Sequence, residues 1–228
     1  MVALVKPAGL STQAPPGHES VEAWVRRELA EPGGYVGMPH RLDRAVSGIL
    51  LVALTPRAAR KLSRQFERRQ VRKTYRAIVA APAAAAPLDA CGAVRDGRVE
   101  WRDLVEKVPD EPRARIAADP DAAGVREAVT LVRLLGPVPT RPGLALLELE
   151  PLTGRMHQLR LQAAARGMPI VGDQLYGGPP ADWAGADTDA PRTRPIALHA
   201  WRIEWIDPDT GSPRTAEAPL PAWWPGDA

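Results

Sequence analysis

The chain has 228 residues, of which 45% are hydrophobic and 25% charged, and its net charge is +3; these values exclude a globally disordered or collagen-like protein. Its single cysteine, Cys91, excludes an internal disulfide and favours a reducing compartment. No apolar run approaches the roughly 18–20 residues of a membrane span and the N-terminus shows no signal-peptide pattern, so we expect a cytoplasmic protein without a membrane partner.

The first quarter of the sequence predicts a strand, a helix and a second strand. Met1–Lys6 is an apolar run that stops at Pro7-Ala8-Gly9, which is typical of a strand ending in a turn. Apolar residues at helical spacing between Val21 and Leu29 predict a helix. Ile49–Leu54 is compact and apolar, and it predicts a buried strand.

A strongly basic helix is predicted after this strand. Thr55 is a suitable N-cap and Pro56 a suitable first residue, and the helix is expected to reach about Gln70. At 100° per residue, one face is basic and the opposite face apolar. The basic residues are Arg57, Arg60, Lys61, Arg64 and Arg68, and the apolar residues are Ala58, Ala59, Leu62 and Phe66.

Positive charge is concentrated in the same region of the chain. Between Arg57 and Arg76 there are seven Arg and two Lys but one acid, Glu67, which gives a net charge of +8, whereas the rest of the chain carries −5. Such a segment favours a phosphate-bearing partner. A solvated Arg-rich helix without a partner has the same composition, so charge alone leaves both interpretations open.

The rest of the chain is predicted to be rich in strands. The predicted strands are Lys73–Ala80, Ala128–Leu135, Leu144–Leu149 and Ile196–Ile206, with a helix over Met156–Arg166 and Gly167 as its C-cap. Residues 81–87, 108–124 and 177–195 are predicted connectors or loops, and the C-terminal tail is Pro-rich. Because helices interrupt the strands irregularly, we predict an α+β fold with a mixed, mainly antiparallel sheet and flanking helices and loops.

Common cofactor patterns are missing from the sequence. It contains no G-x-x-x-x-G-K-[ST] phosphate loop, and residues 33–37 do not form a dinucleotide fingerprint. Ser47 lacks the preceding glycine of a nucleophile elbow. The four histidines show no ligand spacing, so we expect neither a cofactor nor a metal.

Two segments place charged side chains directly beside apolar residues. The first is His40–Gly48, which leads into the predicted buried strand, and the second extends from Leu152 to Gly177. An ionised carboxylate beside a core needs a partner, and a guanidinium supplies paired hydrogen bonds. Asp43 and Arg160 are therefore a plausible pair, although a helix cap or a surface ion pair for Asp43 fits the spacing as well.

These segments resemble ordered motifs of the RluA-type pseudouridine synthases. The family pattern H-R-L-D-x-x-T-S-G is matched by His40–Gly48, K-x-Y-x-A by Lys73–Ala77, T-G-R-x-H-Q-[IL]-R by Thr153–Arg160, P-[IL]-x-G-D-x-x-Y-G by Pro169–Gly177, K-P-A-G-L by Lys6–Leu10 and A-L-H-A by Ala197–Ala200. The resemblance covers roughly Val2–Pro221. Val46 departs from the pattern, which usually has Thr there.

The resemblance implies the pseudouridine synthase catalytic fold. We expect one such domain over residues 1–228, and we expect no S4-type domain before Lys6, which is a departure from the family pattern. It implies conversion of a uridine in rRNA or tRNA to pseudouridine: the bond from C1′ to N1 breaks and C1′ rejoins at C5, without a cofactor. Asp43 matches the catalytic aspartate, Tyr75 the active-site tyrosine and Arg160 the basic partner of the aspartate. The target base must leave structured RNA, and Arg41 resembles the residue that enters the vacated space.

We expect RNA contacts from a set of basic residues, and we expect a monomer. The set is Arg41, Arg57, Arg60, Lys61, Arg64, Arg68, Lys73, Arg155 and His157. One alternative is a non-catalytic RNA-binding or ribosome maturation factor, which predicts a degraded motif around Asp43. A second alternative is another carboxylate enzyme, such as a glycoside hydrolase, which needs a second acid; Asp173 is a weak candidate for that acid.

Overall fold

The computed structural model of the protein describes residues 1–81, 92–182 and 194–225. Over these residues the chain forms ten β-strands and three α-helices. The strands are β1 (Val2–Lys6), β2 (Ser47–Val52), β3 (Arg72–Ala80), β4 (Ala93–Arg95), β5 (Arg98–Lys107), β6 (Ala114–Ile116), β7 (Arg126–Pro137), β8 (Leu144–Pro151), β9 (Leu198–Ile206) and β10 (Pro213–Glu217), and the helices are α1 (Val21–Glu28), α2 (Pro56–Glu67) and α3 (Gln158–Ala165). No helix within these ranges is long and apolar enough to span a membrane.

The chain divides into two compact units. The first is built mainly from residues 1–73 and 199–222, and the second mainly from residues 74–182 and 196–198. The expectation of one domain over residues 1–228 stays a prediction.

In the first unit, β2 is the central strand of the sheet. It pairs antiparallel with β1 and parallel with β9, and β10 pairs antiparallel with β9. The side chains of β2 are all buried, as expected for a strand covered on both faces. Its core, shared with α2 and β9, contains Ile49, Leu51, Leu62, Ile203 and Trp205.

Helix α2 forms where the sequence predicts it and packs as predicted. The Thr55 hydroxyl accepts from the Ala58 N–H at 3.1 Å, and the apolar face is buried against β2 and β9. The helix ends at Glu67 rather than near Gln70, because Arg69 has a left-handed backbone with φ of 57°. The buried Gln65 amide accepts from Ile206 N–H and donates to Ile206 C=O, at 2.9 and 2.8 Å, which fixes the helix to the C-terminal end of β9.

The second unit is an antiparallel sheet with α3 against it. Its strand order is β3-β8-β7-β5-β4, and β6 pairs with β5. Two buried amides attach α3 to the sheet. Gln158 Nε2 donates to Thr130 Oγ1 at 2.9 Å, and Gln162 Nε2 donates to Asp103 Oδ2 at 2.7 Å. The first turns of α3 therefore have a fixed position on the sheet of this unit.

The α+β prediction, with a mixed and mainly antiparallel sheet, is confirmed, but several strands were not predicted from the sequence. Strands β4, β5 and β10 were not predicted, and β6 lies inside the segment 108–124, which was predicted to be a loop. Strand β5 alternates buried apolar residues with charged ones. Strands β6 and β10 are three and five residues long and are defined by pairing with a longer neighbour. The predicted connector 81–87 lies almost entirely outside the described residues, as does part of the predicted loop 177–195.

Candidate active site

The loop that carries Asp43 is fixed on both sides of that residue. The Thr12 hydroxyl donates to the Leu42 carbonyl at 2.8 Å and accepts from the Leu42 N–H at 3.1 Å. On the other side, the Val46 N–H donates to the Asp43 carbonyl at 3.1 Å, which closes a turn over residues 43–46. Both hydrogen bonds to Leu42 are buried, so water does not compete with them. The half-buried Asp43 side chain therefore projects from a backbone of defined position.

A buried lysine links the N-terminal loop to the residue after Asp43. The Lys6 ammonium is fully buried and donates to the carbonyls of Pro7, Leu10 and Arg44, at 2.9, 2.8 and 3.2 Å. Burial lowers the pKa of Lys6 to about 8, against the opposing effect of the Asp43 carboxylate. Lys6 thus keeps its proton at neutral pH, and its charge lies close enough to Asp43 for the two to interact.

The depressed pKa of Lys6 predicts a specific pH dependence of stability. The ordinary value is 10.5 and the folded value about 8, so between these pH values the unfolded chain holds the proton more tightly. The free energy of unfolding therefore gains a contribution as pH rises through this window, and the contribution is lost again as pH falls through 8. Relative to Lys6→Met, the wild type should gain about 3 kcal/mol between about pH 7 and pH 10.5, at about 1.4 kcal/mol per unit. Urea unfolding of both proteins at the two pH values measures this gain. The prediction is contradicted if the difference in the free energy of unfolding between wild type and Lys6→Met is the same at both pH values.

The end of the Asp43 loop is closed by contacts between β2 and β9. Ser47 Oγ lies 2.8 Å from His199 Nδ1, and both residues are buried. The next residue, Gly48, has φ of +120°, and a Cβ there would lie 2.3 Å from the Ala200 carbonyl oxygen. Glycine is therefore required where the chain leaves the loop and enters the sheet.

His40 has a structural role, although it begins the motif that contains Asp43. Its Nε2 accepts from the Leu51 N–H at 2.9 Å, and its ring stacks on Phe66 with centroids 4.6 Å apart. Burial, together with the positive charge of Lys73, lowers the pKa of His40 to about 3. The imidazole is therefore neutral at physiological pH, and it links α2 to the start of the Asp43 loop.

In the second unit, Arg160 is fixed by a buried carboxylate. Arg160 Nε and Nη2 donate to Asp173 Oδ2 and Oδ1, at 2.6 and 2.7 Å. The two side chains are 9% and 1% exposed, so this is a desolvated bidentate pair. The guanidinium carbon also lies 5.2 Å from the centroid of the Tyr176 ring. These contacts fix the position and orientation of the Arg160 guanidinium before any substrate binds.

The turn that presents Asp173 is itself tightly constrained. Gly178 N–H donates to the Asp173 carbonyl at 2.8 Å, and a Cβ at Gly178 would lie 1.9 Å from the Ile170 carbonyl oxygen. The Tyr176 hydroxyl bridges the N–H and C=O of Ala114 in β6 and lies 3.1 Å from His157 Nδ1. His157 has a left-handed backbone (φ 49°), which is why α3 begins at Gln158 and not at Met156 as predicted.

The remaining predicted residues of the second unit are partly buried. Tyr75 lies on β3 opposite Leu149, and its side chain is half-buried. Arg155 Nε donates to the Glu127 carbonyl at 2.9 Å, so this predicted RNA ligand also has a bond within the protein.

Lys73, another predicted RNA ligand, belongs to the first unit. Burial lowers the pKa of its ammonium group.

The structure thus places the predicted site residues in two groups. The first unit holds Arg41, Asp43, Lys73 and the basic residues of α2, and the second holds Tyr75, Arg155, His157 and Arg160. The pairing of Asp43 with Arg160 stays a prediction, and the bidentate partner of Arg160 that the sequence analysis missed is Asp173. The position of Asp173 in the G-D-x-x-Y-G segment, after apolar residues, was the one sequence feature that indicated a buried carboxylate in need of a cationic partner. Among the described residues no cluster of His, Cys, Asp and Glu could hold a metal ion.

Comparisons with known proteins agree with the motifs. Residues 1–165 match the family described as RNA pseudouridylate synthase. The chain is 36% identical over 177 residues to a tRNA pseudouridine synthase C of Salmonella typhimurium, covering 75% of this chain and 63% of that protein. It is 32% identical over 179 residues to a dual-specificity RNA pseudouridine synthase RluA of Yersinia pestis, covering 77% of each.

A solved structure shares the fold over almost the whole chain. Human RNA pseudouridylate synthase domain containing 4 superimposes with a TM-score of 0.70 and 21% identity, covering 97% of this chain and 85% of that one. The chain thus spans most of the length of this structure, but 63% of the length of the Salmonella relative.

Proposed function

The chain belongs to the RNA pseudouridylate synthase family, with RluA-type relatives, and on this premise we propose that it isomerises uridine in RNA to pseudouridine. The bond between C1′ and N1 breaks, a bond between C1′ and C5 forms, C5 loses a proton and N1 gains one. Atoms and electrons balance without an oxidant or a second substrate, so the proposal requires no cofactor.

The observation that carries the proposal is the fixed presentation of Asp43. Thr12 holds the residue before it, Lys6 the residue after it, and the turn to Val46 closes the loop. A carboxylate held in this way acts as a nucleophile toward the nucleoside or as a base toward the sugar. A non-catalytic RNA-binding factor has no need for such a constrained acid.

Tyr75 and Arg160 have supporting roles in this proposal. Tyr75 stacks on the target base and lies near the C5 proton. Arg160 matches the basic active-site residue of the family motif, and within its own unit Asp173 holds its guanidinium in a fixed orientation. Arg41 enters the space left when the base leaves the RNA stack, which costs a few kcal/mol.

The proposed substrate class is rRNA or tRNA, since one relative is named as a tRNA enzyme, another as a dual-specificity RNA enzyme, and a third, from Rickettsia conorii, as a ribosomal large subunit pseudouridine synthase C. Purified protein incubated with rRNA and tRNA from a strain lacking the gene is expected to form pseudouridine at discrete positions, read by chemical mapping at nucleotide resolution. An Asp43→Asn variant is expected to form no product, and Asp209→Asn is its matched control, since it removes an exposed carboxylate in the β9–β10 turn. Product in neither RNA class, from a folded protein, would refute the proposal.

A further inference from the structure

We propose that the exposed basic face of α2, formed by Arg57, Arg60, Arg64 and Arg68, binds the phosphate backbone of the RNA. This inference rests on the proposed function, because it assumes that RNA is the substrate. The four side chains lie on one face of the helix, and all four residues are exposed. Arg68, the C-cap of the helix, follows Arg57 by eleven positions, so the four residues extend over about 16 Å along the helix axis.

These arginines differ from most of the other arginines of the protein in having no acidic partner. Elsewhere, exposed or half-exposed arginines form ion pairs, as in Arg26–Glu22, Arg27–Glu19, Arg102–Glu100, Arg113–Glu111, Arg115–Glu106 and Arg133–Glu148. Within the described part of the chain, the side chains of the basic face of α2 form no hydrogen bond and no ion pair, and neither does the acid of this helix, Glu67. Their donors are therefore available to a ligand.

The spacing of the cations also favours an anionic ligand. Arg60 and Arg64, like Arg64 and Arg68, are four residues apart and thus neighbours on the helix surface, where like charges repel. Bound phosphates relieve this repulsion and release their counterions, which is the main source of sequence-independent affinity for nucleic acids. Lys61, which the sequence predicts to belong to the same face, instead donates to the Pro208 carbonyl, so it is not part of this surface.

One aromatic contact joins the last turn of α2, through its apolar face, to the start of the His40–Gly48 segment. Phe66, in the last turn of α2, stacks on His40 with centroids 4.6 Å apart, and His40 lies three residues before Asp43. The last turn of α2 therefore lies beside the start of this segment, whereas Arg64 and Arg68 extend from the opposite face of the helix. Arg41, in the same segment, is exposed as well.

The packing of α2 argues for RNA over an anionic membrane. A helix that binds in a membrane interface inserts its apolar face into the lipid. In α2 that face is already buried in the protein, with Ala58 and Leu62 inaccessible to solvent. What remains exposed is charge without apolar surface, which is suited to a phosphodiester chain.

The test compares two double variants that remove equal charge. Arg60→Gln/Arg64→Gln removes two cations from the basic face of α2, and Arg27→Gln/Arg214→Gln removes two exposed, ion-paired cations elsewhere in the same unit. Binding of a labelled 20-nucleotide single-stranded RNA of mixed sequence is measured at several salt concentrations. The slope of log K against log salt should flatten by about 1.4 in the first variant, at about 0.7 per lost phosphate contact, and stay unchanged in the control.

The outcomes separate this inference from the proposed function. A flattened slope supports the basic face of α2 as an RNA surface even if no pseudouridine is formed. An unchanged slope, or an equal change in the control variant, overturns it even if the wild type forms pseudouridine. Binding to phosphatidylserine vesicles that depends on Arg60 and Arg64, with RNA binding unaffected, also overturns it. Circular dichroism of both variants shows that they are folded, as expected for exposed substitutions.

Discussion

Replacing Asp43 with Asn is expected to abolish pseudouridine formation while folding and RNA binding are retained. Asparagine has the size of aspartate and keeps one acceptor oxygen, so the loop held by Thr12 and Lys6 should retain its conformation. It has no negative charge, however, and acts neither as a nucleophile toward C1′ nor as a base. Loss of a positioned acid–base or nucleophilic group costs about 10²–10⁴-fold in rate or more.

Single-turnover assays with excess enzyme measure this loss without a contribution from product release. The Asp209→Asn control should keep the wild-type rate, since Asp209 is exposed on the β9–β10 turn. RNA affinity and the midpoint of thermal unfolding should agree among the three proteins. A folded Asp43→Asn protein with a rate within tenfold of wild type would remove Asp43 from the mechanism.

Local patterns in the sequence predicted local structure well. The extent and orientation of α2 followed from Thr55, Pro56 and the 3.6-residue period, because capping and amphipathicity are properties of neighbouring residues. Strand β5 was missed although it alternates buried and charged residues. Most of its outward side chains are charged, so the strand contains no continuous apolar run of the kind from which the other strands were predicted.

The contacts that fix the candidate site connect residues far apart in sequence, and no local pattern reports them. Thr12 and Leu42 are 30 residues apart, Lys6 and Arg44 are 38 apart, and Ser47 and His199 are 152 apart. The motifs identified which residues matter near Asp43. They did not show that His40 is a neutral acceptor for a backbone N–H, or that Thr12 holds the loop, because those roles depend on how the chain folds back on itself.

Breaking the Arg160–Asp173 pair is expected to have the largest effect on stability. Both side chains are almost fully buried and make two parallel hydrogen bonds at 2.6 and 2.7 Å. Arg160→Met leaves the Asp173 carboxylate without this partner in the interior, and Asp173→Leu leaves the guanidinium without its carboxylate. Removing one member of a buried pair typically costs about 3–5 kcal/mol, which urea unfolding at neutral pH measures directly.

The double variant decides whether the cost arises from the stranded charge. Arg160→Met/Asp173→Leu removes both charges, so its loss of stability should be smaller than the sum of the two single losses, and it can approach neutral. The exposed pair Arg27–Glu19, with side chains 53% and 68% exposed, provides the comparison, and alanine substitutions there should couple by less than about 1 kcal/mol. Additive losses at Arg160 and Asp173 would mean that packing, and not the ion pair, holds this part of the second unit.

A strongly coupled pair would instead mean that Asp173 orients Arg160 before RNA binds, so that Asp173→Leu should reduce kcat for pseudouridine formation while RNA affinity is retained.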